Sequence, residues 1–535
     1  MSFEVALILI ALVAAVSGVA RRLHVPPPFL LVLVGLAAGF IPGTPQIQLD
    51  PQIVLVLFLP PLLYAAALST AFADFRDNLR PIGLLSVGLV LVTTAVVGLV
   101  ARLVVPDLPL AAAIALGAIV APPDAIAATA IARKLALPRR VLTILEGESL
   151  LNDATALVAY RIAVTAAVAG TASWGEALGD FVVAAAGGAA VGLLLGWALA
   201  ALRRRLDDPL LENALSLLTP FAAYLPAEAI HASGVLSVVV AGLYLGRRAP
   251  VLLSSNTRLQ GQALWSMVTF LLEGLVFALI GLQLPGILRG LAGRSVVELI
   301  VAAVAVTAAV IITRFLWVFP ATYLPRWLSR RLRTKDPGPS WQGPMLISWA
   351  GMRGVVSLAA AFALPENMPG RDLILFVTFC VIIATLLLQG LTLPWVVHRL
   401  GLDDAGAAER TDRELAVADH HIARVALSEL ERIAEDRSVP QRIIEELRGH
   451  LEERVRHAHA VLGGCPGEDE YHDYVRGDDQ EAISDAVSTT HLRQRLLDAE
   501  RSELLRLYGE RDIDDETLRR MQQQLDVEEI GLEAT

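Results

Sequence analysis

The chain has 535 residues, 55% of them hydrophobic and only 18% charged, with a formal net charge of -10 and a mean hydropathy of +0.57. That balance is too apolar for a soluble enzyme or binding domain and fits a polytopic membrane protein, and the acidic total argues against a nucleic-acid partner. Its two cysteines, Cys380 and Cys465, offer no disulfide framework.

Stretches of about 17 to 25 apolar residues read as membrane spans. Thirteen are expected, at residues 3–20, 28–42, 52–70, 81–103, 108–132, 140–168, 177–202, 211–227, 230–246, 262–285, 296–324, 342–364 and 372–398. Two short spans near Pro220 and Pro226 could merge and change the count by one. The opening Met-Ser-Phe-Glu lacks the basic region of a cleavable signal, so the first span is expected to be retained. Arginine and lysine collect in alternate loops, at Arg21, Arg22, Arg76, Arg80, Arg133, Lys134, Arg139, Arg140, Arg203 to Arg205, Arg247, Arg248, Arg258, Arg326, Arg330, Arg331, Arg333, Lys335 and Arg399. The opposite loops hold only Arg102, Arg289, Arg294 and Arg371. Basic short loops face the cytoplasm, so the N-terminus is expected outside and the C-terminal tail inside a cell (plasma or inner) membrane.

The fifth span is interrupted by Ala121-Pro122-Pro123-Asp124-Ala125, and the sixth contains Glu146-Gly147-Glu148-Ser149-Leu150-Leu151-Asn152-Asp153. A charge at mid-membrane costs roughly 2.5 to 3.5 kcal/mol on insertion scales, so such carboxylates persist mainly where an ion or proton pathway uses them. Paired prolines remove two helix hydrogen bonds beside Asp124, and freed carbonyls with carboxylates make a cation site. On a helix Ser149 and Asp153 share one face and Glu148 and Asn152 the adjacent one. The first face can present Asp153 to a cation beside Asp124, and the second can hold Glu148 against a basic partner. Arg161, Arg314 and Arg353 are the candidates within spans. Arg353 stands in Gly351-Met352-Arg353-Gly354, which suggests a second interrupted helix mirroring the fifth. There it would offset the negative half-helix ends. A snorkelling side chain is the competing reading for Arg353 and for Arg314, the latter along Phe315 and Trp317. Arg161 has no assignment from sequence.

From Asp403 the chain turns acidic, with 34 acidic residues against 17 arginines, leaving the membrane part about 7 charges positive by subtraction. Apolar residues at helical spacing, in Leu415, Ala418, Ile422 and Val425 and in Ile443, Leu447, Leu451 and Val455, predict amphipathic helices. Residues 401–535 are therefore expected to form a small helical cytoplasmic domain after a transmembrane domain over residues 1–400. Its histidines, His420, His421, His450, His457, His459, His472 and His491, lack a metal-binding motif and read as solvated helix surface.

Over residues 5 to 400 the chain resembles the monovalent cation:proton antiporters that include the sodium/proton exchangers. Glu-Ser-Leu-Leu-Asn-Asp at 148–153 carries the resemblance, supported by Pro123-Asp124-Ala125 and Gly351-Met352-Arg353-Gly354. It implies an all-α fold of about thirteen transmembrane helices in two inverted repeats, a homodimer, and an ion site where broken helices cross. By position, Asp153 resembles the carboxylate that binds cation or proton, with Asp124 as its partner, Asn152 supporting it and Ser149 nearby. Glu148 with Arg314 resembles a buried ion pair, Arg353 the charge at the crossing, and Glu273 a carboxylate of the tenth span. Many relatives place Thr before the aspartate and Pro after it, whereas here Pro123 precedes and Ala125 follows, so a hydroxyl ligand is missing.

The expected function is sodium/proton antiport by alternating access, serving pH and sodium homeostasis, with Na+ held by Asp153 and Asp124 as cargo. No cofactor and no enzymatic activity is expected; the partners are monovalent cations, protons and the lipid bilayer. Those relatives that carry two adjacent aspartates where Asn152 and Asp153 stand can move two protons per sodium, whereas Asn152 cannot titrate, which makes one-for-one, electroneutral exchange the expected stoichiometry. The rivals are exchange of potassium, or of both sodium and potassium, on the same fold, a gated cation channel, and an aspartyl protease built on Asp124 and Asp153. The protease leaves Asn152 and Arg353 without a purpose, and the channel calls for a continuous polar lining.

Overall fold

The computed structural model describes residues 3–23, 27–41, 56–124, 137–169, 174–206, 208–291, 293–336, 338–402, 405–435, 440–462 and 482–533. Parts of the third and fifth expected spans (52–55 and 125–132), with Arg133, Lys134, Cys465 and His472, lie outside the described residues.

Regular structure among the described residues is entirely helical. In the first part of the chain the helices are α1 (Phe3–Leu23), α2 (Pro27–Gly39), α3 (Leu59–Ser69), α4 (Leu79–Val104), α5 (Leu110–Val120), α6 (Arg139–Ala169) and α7 (Trp174–Arg203). They continue with α8 (Pro209–Ala229), α9 (Gly234–Leu252), α10 (Ser255–Gly290), α11 (Val296–Leu328), α12 (Gln342–Trp349), α13 (Val355–Phe362) and α14 (Arg371–Leu400). Six stretches, within α4, α7, α9, α10, α11 and α14, are long and apolar enough to cross a membrane by length and composition.

The prolines near residue 220 do not fuse two spans. Helix α8 carries Pro220 and Pro226 internally, ends at Ala229, and is separated from α9 by a turn in which His231 has a positive φ of 58°. Asp208 caps the start of α8, accepting from the amides of Leu210 (2.8 Å) and Leu211 (3.3 Å). Both α4 and α14 contain a π-helical turn, at Leu84–Leu89 and Leu386–Gly390, which leaves local carbonyls outside the normal ladder. Trp317 of α11 uses one of them, donating from Nε1 to the Leu84 carbonyl at 2.9 Å.

The chain divides into two compact units, Met1–Leu252 with Gly261–Asp403, and Leu253–Gln260 with Asp404–Thr535. Within the first, Leu116, Ile119, Val306, Val310, Leu358 and Ile382 belong to one large apolar core that joins α5, α11, α13 and α14. A second cluster joins α3, α8 and α9 through Tyr64, Tyr224 and Val238, and a third joins α4, α6, α11 and α12 through Leu85, Ile144, Val318 and Ile347.

The second unit contains α15 (Ala405–Ala434), α16 (Gln441–Val461), α17 (Ala482–Glu510) and α18 (Asp515–Glu533). Ala418, Ile422, Leu504, Leu518 and Leu525 form one of its cores, and Ala426, Leu430, Ile443, Leu447 and Leu451 the other. The octapeptide Leu253–Gln260 joins this unit through polar contacts: Arg258 pairs with Asp526, and Ser255 donates to Glu529. Arg454 bridges Asp419 (2.7 Å) and Glu500 (2.8 Å). Among the described residues no group of three or more His, Cys, Asp or Glu is placed to hold a metal.

Candidate ion site at two interrupted helices

Helix α5 stops at Val120, just ahead of Pro122 and Pro123, which supply no N–H donors to continue the ladder. The chain from Ala121 to Asp124 is therefore non-helical, and it leaves backbone groups needing partners. The break between α12 and α13 supplies one: the Asp124 amide donates to the Met352 carbonyl at 2.7 Å. Residues 350–354 are themselves non-helical, so two unwound segments meet side by side in the bilayer-spanning unit. Irregular backbone is tolerated at membrane depth only where other protein groups or a water-filled cavity satisfy it.

Two side chains complete that satisfaction. Asn152 of α6 is fully buried and donates from Nδ2 to the Pro123 carbonyl at 2.8 Å. That contact fixes the amide orientation, and its Oδ1 has no hydrogen-bond partner among the described residues. Thr385 of α14 accepts from the Arg353 amide at 3.1 Å while donating to the Val381 carbonyl at 2.9 Å. Gly354 is required by close approach: a Cβ there would fall on the carboxylate of Asp124.

Asp153 follows Asn152 and is 5% exposed. It lies fourteen residues into the 31-residue α6, about 21 Å from its start at 1.5 Å per residue, and within electrostatic reach of Asp124. Asp124 is half-buried, as is Ser149, one turn before Asp153 on α6. Glu273 of α10 is also half-buried and within reach of the Asp124 charge. The site thus gathers carboxylates from an unwound segment and two helices around the junction.

Next to it sits a buried ion pair. Glu148 and Arg314 are each 1% exposed, with Nη1 to Oε1 at 2.5 Å and Nη2 to Oε2 at 2.8 Å. The third direction of the guanidinium is also used, since Nε donates to the Ile347 carbonyl at 3.0 Å in the last turn of α12. Arg314 therefore neutralises a carboxylate of α6 and satisfies an orphan carbonyl at the end of an interrupted helix, a geometry suited to a planar fork. Gly351 makes room for it, because a Cβ there would overlap the Arg314 side chain. The snorkelling alternative for Arg314 does not fit this geometry.

Arg353 is equally buried, but its Nε and Nη1 have no hydrogen-bond partner among the described residues, and it sits in the field of Arg314 and Glu148. Arg161, unassigned from sequence, binds both carboxylate oxygens of Glu228 at 2.6 and 2.7 Å. Glu228 also accepts from the Gly234 amide at 3.1 Å, so this pair links α6 to the α8–α9 turn. The sequence reading missed Thr385 and Glu228. A charged residue two positions after Pro226 at a span end was the available signal for Glu228, whereas an isolated threonine in an apolar run gave none.

Comparison with known proteins adds to this geometry. A family profile described as "Sodium/hydrogen exchanger, transmembrane" matches residues 8–399. The chain is 40% identical over 545 residues to an uncharacterized Na(+)/H(+) exchanger of Mycobacterium tuberculosis (strain ATCC 25618 / H37Rv), covering 98% of this chain and 96% of that one. It is 33% identical over 432 residues to a sodium, potassium, lithium and rubidium/H(+) antiporter of Bacillus pumilus (strain SAFR-032), covering 78% of this chain and 62% of that protein. Among solved structures, the sodium proton antiporter MjNhaP1 from Methanocaldococcus jannaschii at pH 8 superposes with a TM-score of 0.59 at 19% identity. The match covers 74% of this chain and 98% of that chain, and it shows a shared fold.

Proposed function

Since this chain belongs to the sodium/hydrogen exchanger family, we propose that it exchanges sodium for protons, with Asp153 as the carboxylate that carries one or the other. The observation that carries this reading is the buried Asp153 held beside Asn152 at the junction of two unwound segments, with Asp124 in electrostatic reach. A proton and an alkali cation compete for one carboxylate, because binding either neutralises it and binding both would restore a net charge. The membrane unit reorients when the site is neutralised and resists reorientation when a bare carboxylate would have to move through low dielectric.

Each neighbour then has a part. Asp124 contributes a second carboxylate from the unwound segment, and carbonyls of that segment with Asn152 Oδ1 offer neutral oxygens of the kind alkali cations prefer. Asn152 also pins the segment to α6, and Ser149 offers a hydroxyl one turn away. The Glu148–Arg314 pair fixes α6 against the end of α12, and Arg353 offsets the helix ends that meet there. Glu273, within electrostatic reach of Asp124, tunes the charge of the site.

Loop charges support an outside N-terminus and a cytoplasmic tail in the plasma membrane, and the family resemblance supports a homodimer serving pH and sodium homeostasis. Potassium exchange, alone or alongside sodium, is the second reading. It is favoured by Pro123 standing where many relatives carry a threonine, and by the ion range in the name of the Bacillus pumilus relative. In sealed proteoliposomes an imposed pH gradient should drive sodium against its own gradient, with lithium and potassium run in parallel. Sodium that only runs downhill, at a rate indifferent to pH gradient, would make the protein a channel.

A further inference from the structure

Away from the ion site, the membrane unit contains a narrow crevice between α4, α6, α11 and α12 that opens to solvent. Its walls are apolar, formed by Leu84, Leu85, Val141, Ile144, Val318 and Ile347, and its mouth carries Arg80, Arg140 and Arg326. Asp336, directly after the short helix Arg330–Lys335 that follows α11, neutralises part of that charge. It binds Arg140 at 2.9 Å and Arg326 at 2.6 Å. Burial acts to raise the Asp336 carboxyl, but the Arg140 hydrogen bond and the charges of Arg140 and Arg326 outweigh it and hold it below its ordinary range.

Three guanidiniums against one carboxylate leave an excess of positive charge, and among the described residues no carboxylate hydrogen-bonds Arg80. All three arginines stand at span ends on the basic side of the loop pattern, at the starts of α4 and α6 and the end of α11. Basic pockets between helices on the cytoplasmic side of a membrane are built to take anionic headgroups, and arginine forks match phosphate oxygens. We propose that this crevice binds one anionic phospholipid, its phosphate on Arg80 and Arg140 and the glycerol end of its acyl chains against the apolar walls.

Apolar walls beneath the arginines favour a lipid over free phosphate, which would take the guanidiniums and leave the crevice unfilled. The site also has a route to the ion-binding region. Ile347 forms part of the wall, and its carbonyl receives Arg314 Nε, so occupancy presses on the α12 turn that the Glu148–Arg314 pair holds.

The test uses the full chain purified in detergent and stripped of lipid. Its melting temperature is followed with dioleoylphosphatidylglycerol, with dioleoylphosphatidylcholine, or with inorganic phosphate alone. The glycerol lipid should raise melting by several degrees beyond the choline lipid, and phosphate alone should not. Arg80→Gln/Arg140→Gln should lose most of that increment, and Ala321→Trp, which fills the crevice with all three arginines retained, should lose it too. Native mass spectrometry of the unmutated chain should retain one phosphatidylglycerol per chain, a reading that needs no variant to fold. Equal response to both lipids, an increment reproduced by phosphate alone, no retained lipid, or full response in both variants would overturn the assignment.

Discussion

Replacing Glu148 by Ala strands the Arg314 guanidinium, which at 1% exposure is shielded from bulk solvent. Replacing Arg314 by Ala strands the carboxylate and also leaves the Ile347 carbonyl without its donor. Removing one partner of a buried pair is destabilising by roughly 3 to 5 kcal/mol, while replacing both by apolar residues of similar volume is often neutral. The lost Ile347 contact adds roughly 1 to 3 kcal/mol to every variant that lacks Arg314, because a buried carbonyl is left unsatisfied. The expected order of melting temperature in detergent is therefore wild type, then Glu148→Met/Arg314→Met, then either single alanine variant. Arg314→Lys should fall between wild type and Arg314→Ala, since an ammonium keeps the charge but cannot serve three directions as the planar fork does. A double-mutant cycle separates the pair from its surroundings, and contacting residues couple by about 0.5 to 3 kcal/mol or more when charges are buried. Additive losses in the cycle, or single alanine variants that melt with the wild type, would refute the reasoning.

Three other outcomes follow from the same geometry. Gly354→Ala places a methyl group where the Asp124 carboxylate lies, so exchange in proteoliposomes should fall at least about tenfold while detergent melting changes little; retained exchange contradicts the packing of Asp124 against that segment. In the tail, burial raises Glu500 to about 7, with Glu528 adding to the shift and Arg454 opposing it. The folded form thus holds a proton that the unfolded form has released, and the tail should lose stability, at most about 3 kcal/mol, as pH rises from the ordinary glutamate range to about 7. Amide exchange in α17, corrected for intrinsic rate, should report that loss, and Glu500→Gln should flatten it. The expected one-for-one exchange, with Asn152 unable to titrate, predicts that clamping the potential with potassium and valinomycin leaves the sodium distribution at equilibrium unmoved. A charge-moving cycle would shift it, since 100 mV is worth about 2.3 kcal/mol per net charge.

What could be read in advance depended on range. Span positions were legible because burial in lipid imposes a length and a composition on each segment locally, so α6, α11 and α14 begin within a residue or so of the expected ends. The two interruptions were legible for the same reason, as Pro122-Pro123 and the glycines around Arg353 act on their own backbone. Pairings across long sequence separations were not. Three span arginines were possible partners for Glu148 by pattern, and the choice of Arg314 came from family resemblance, because a contact 166 residues apart leaves no periodic trace. Arg161 found Glu228 67 residues away, in a turn set by where α8 ends. The π turns of α4 and α14, and Thr385 reaching the Arg353 amide, depend on helix packing that apolar runs do not encode. The assignment of Leu253–Gln260 to the tail unit rests on Arg258 and Ser255 meeting Asp526 and Glu529, again a long-range match of charge and donor.

The central claim is that one carboxylate, Asp153, alternates between cation and proton. Asp153→Asn keeps the size and hydrogen-bonding capacity of that side chain and removes only its titratable charge, and the Asn152 contact to Pro123 that shapes the site is untouched. With the variant and the wild type reconstituted at equal density, uphill sodium movement driven by a pH gradient should persist in the wild type and vanish in the variant, while both melt at similar temperatures in detergent. Proton-driven sodium uptake by Asp153→Asn at more than a trace of the wild-type rate would contradict the account.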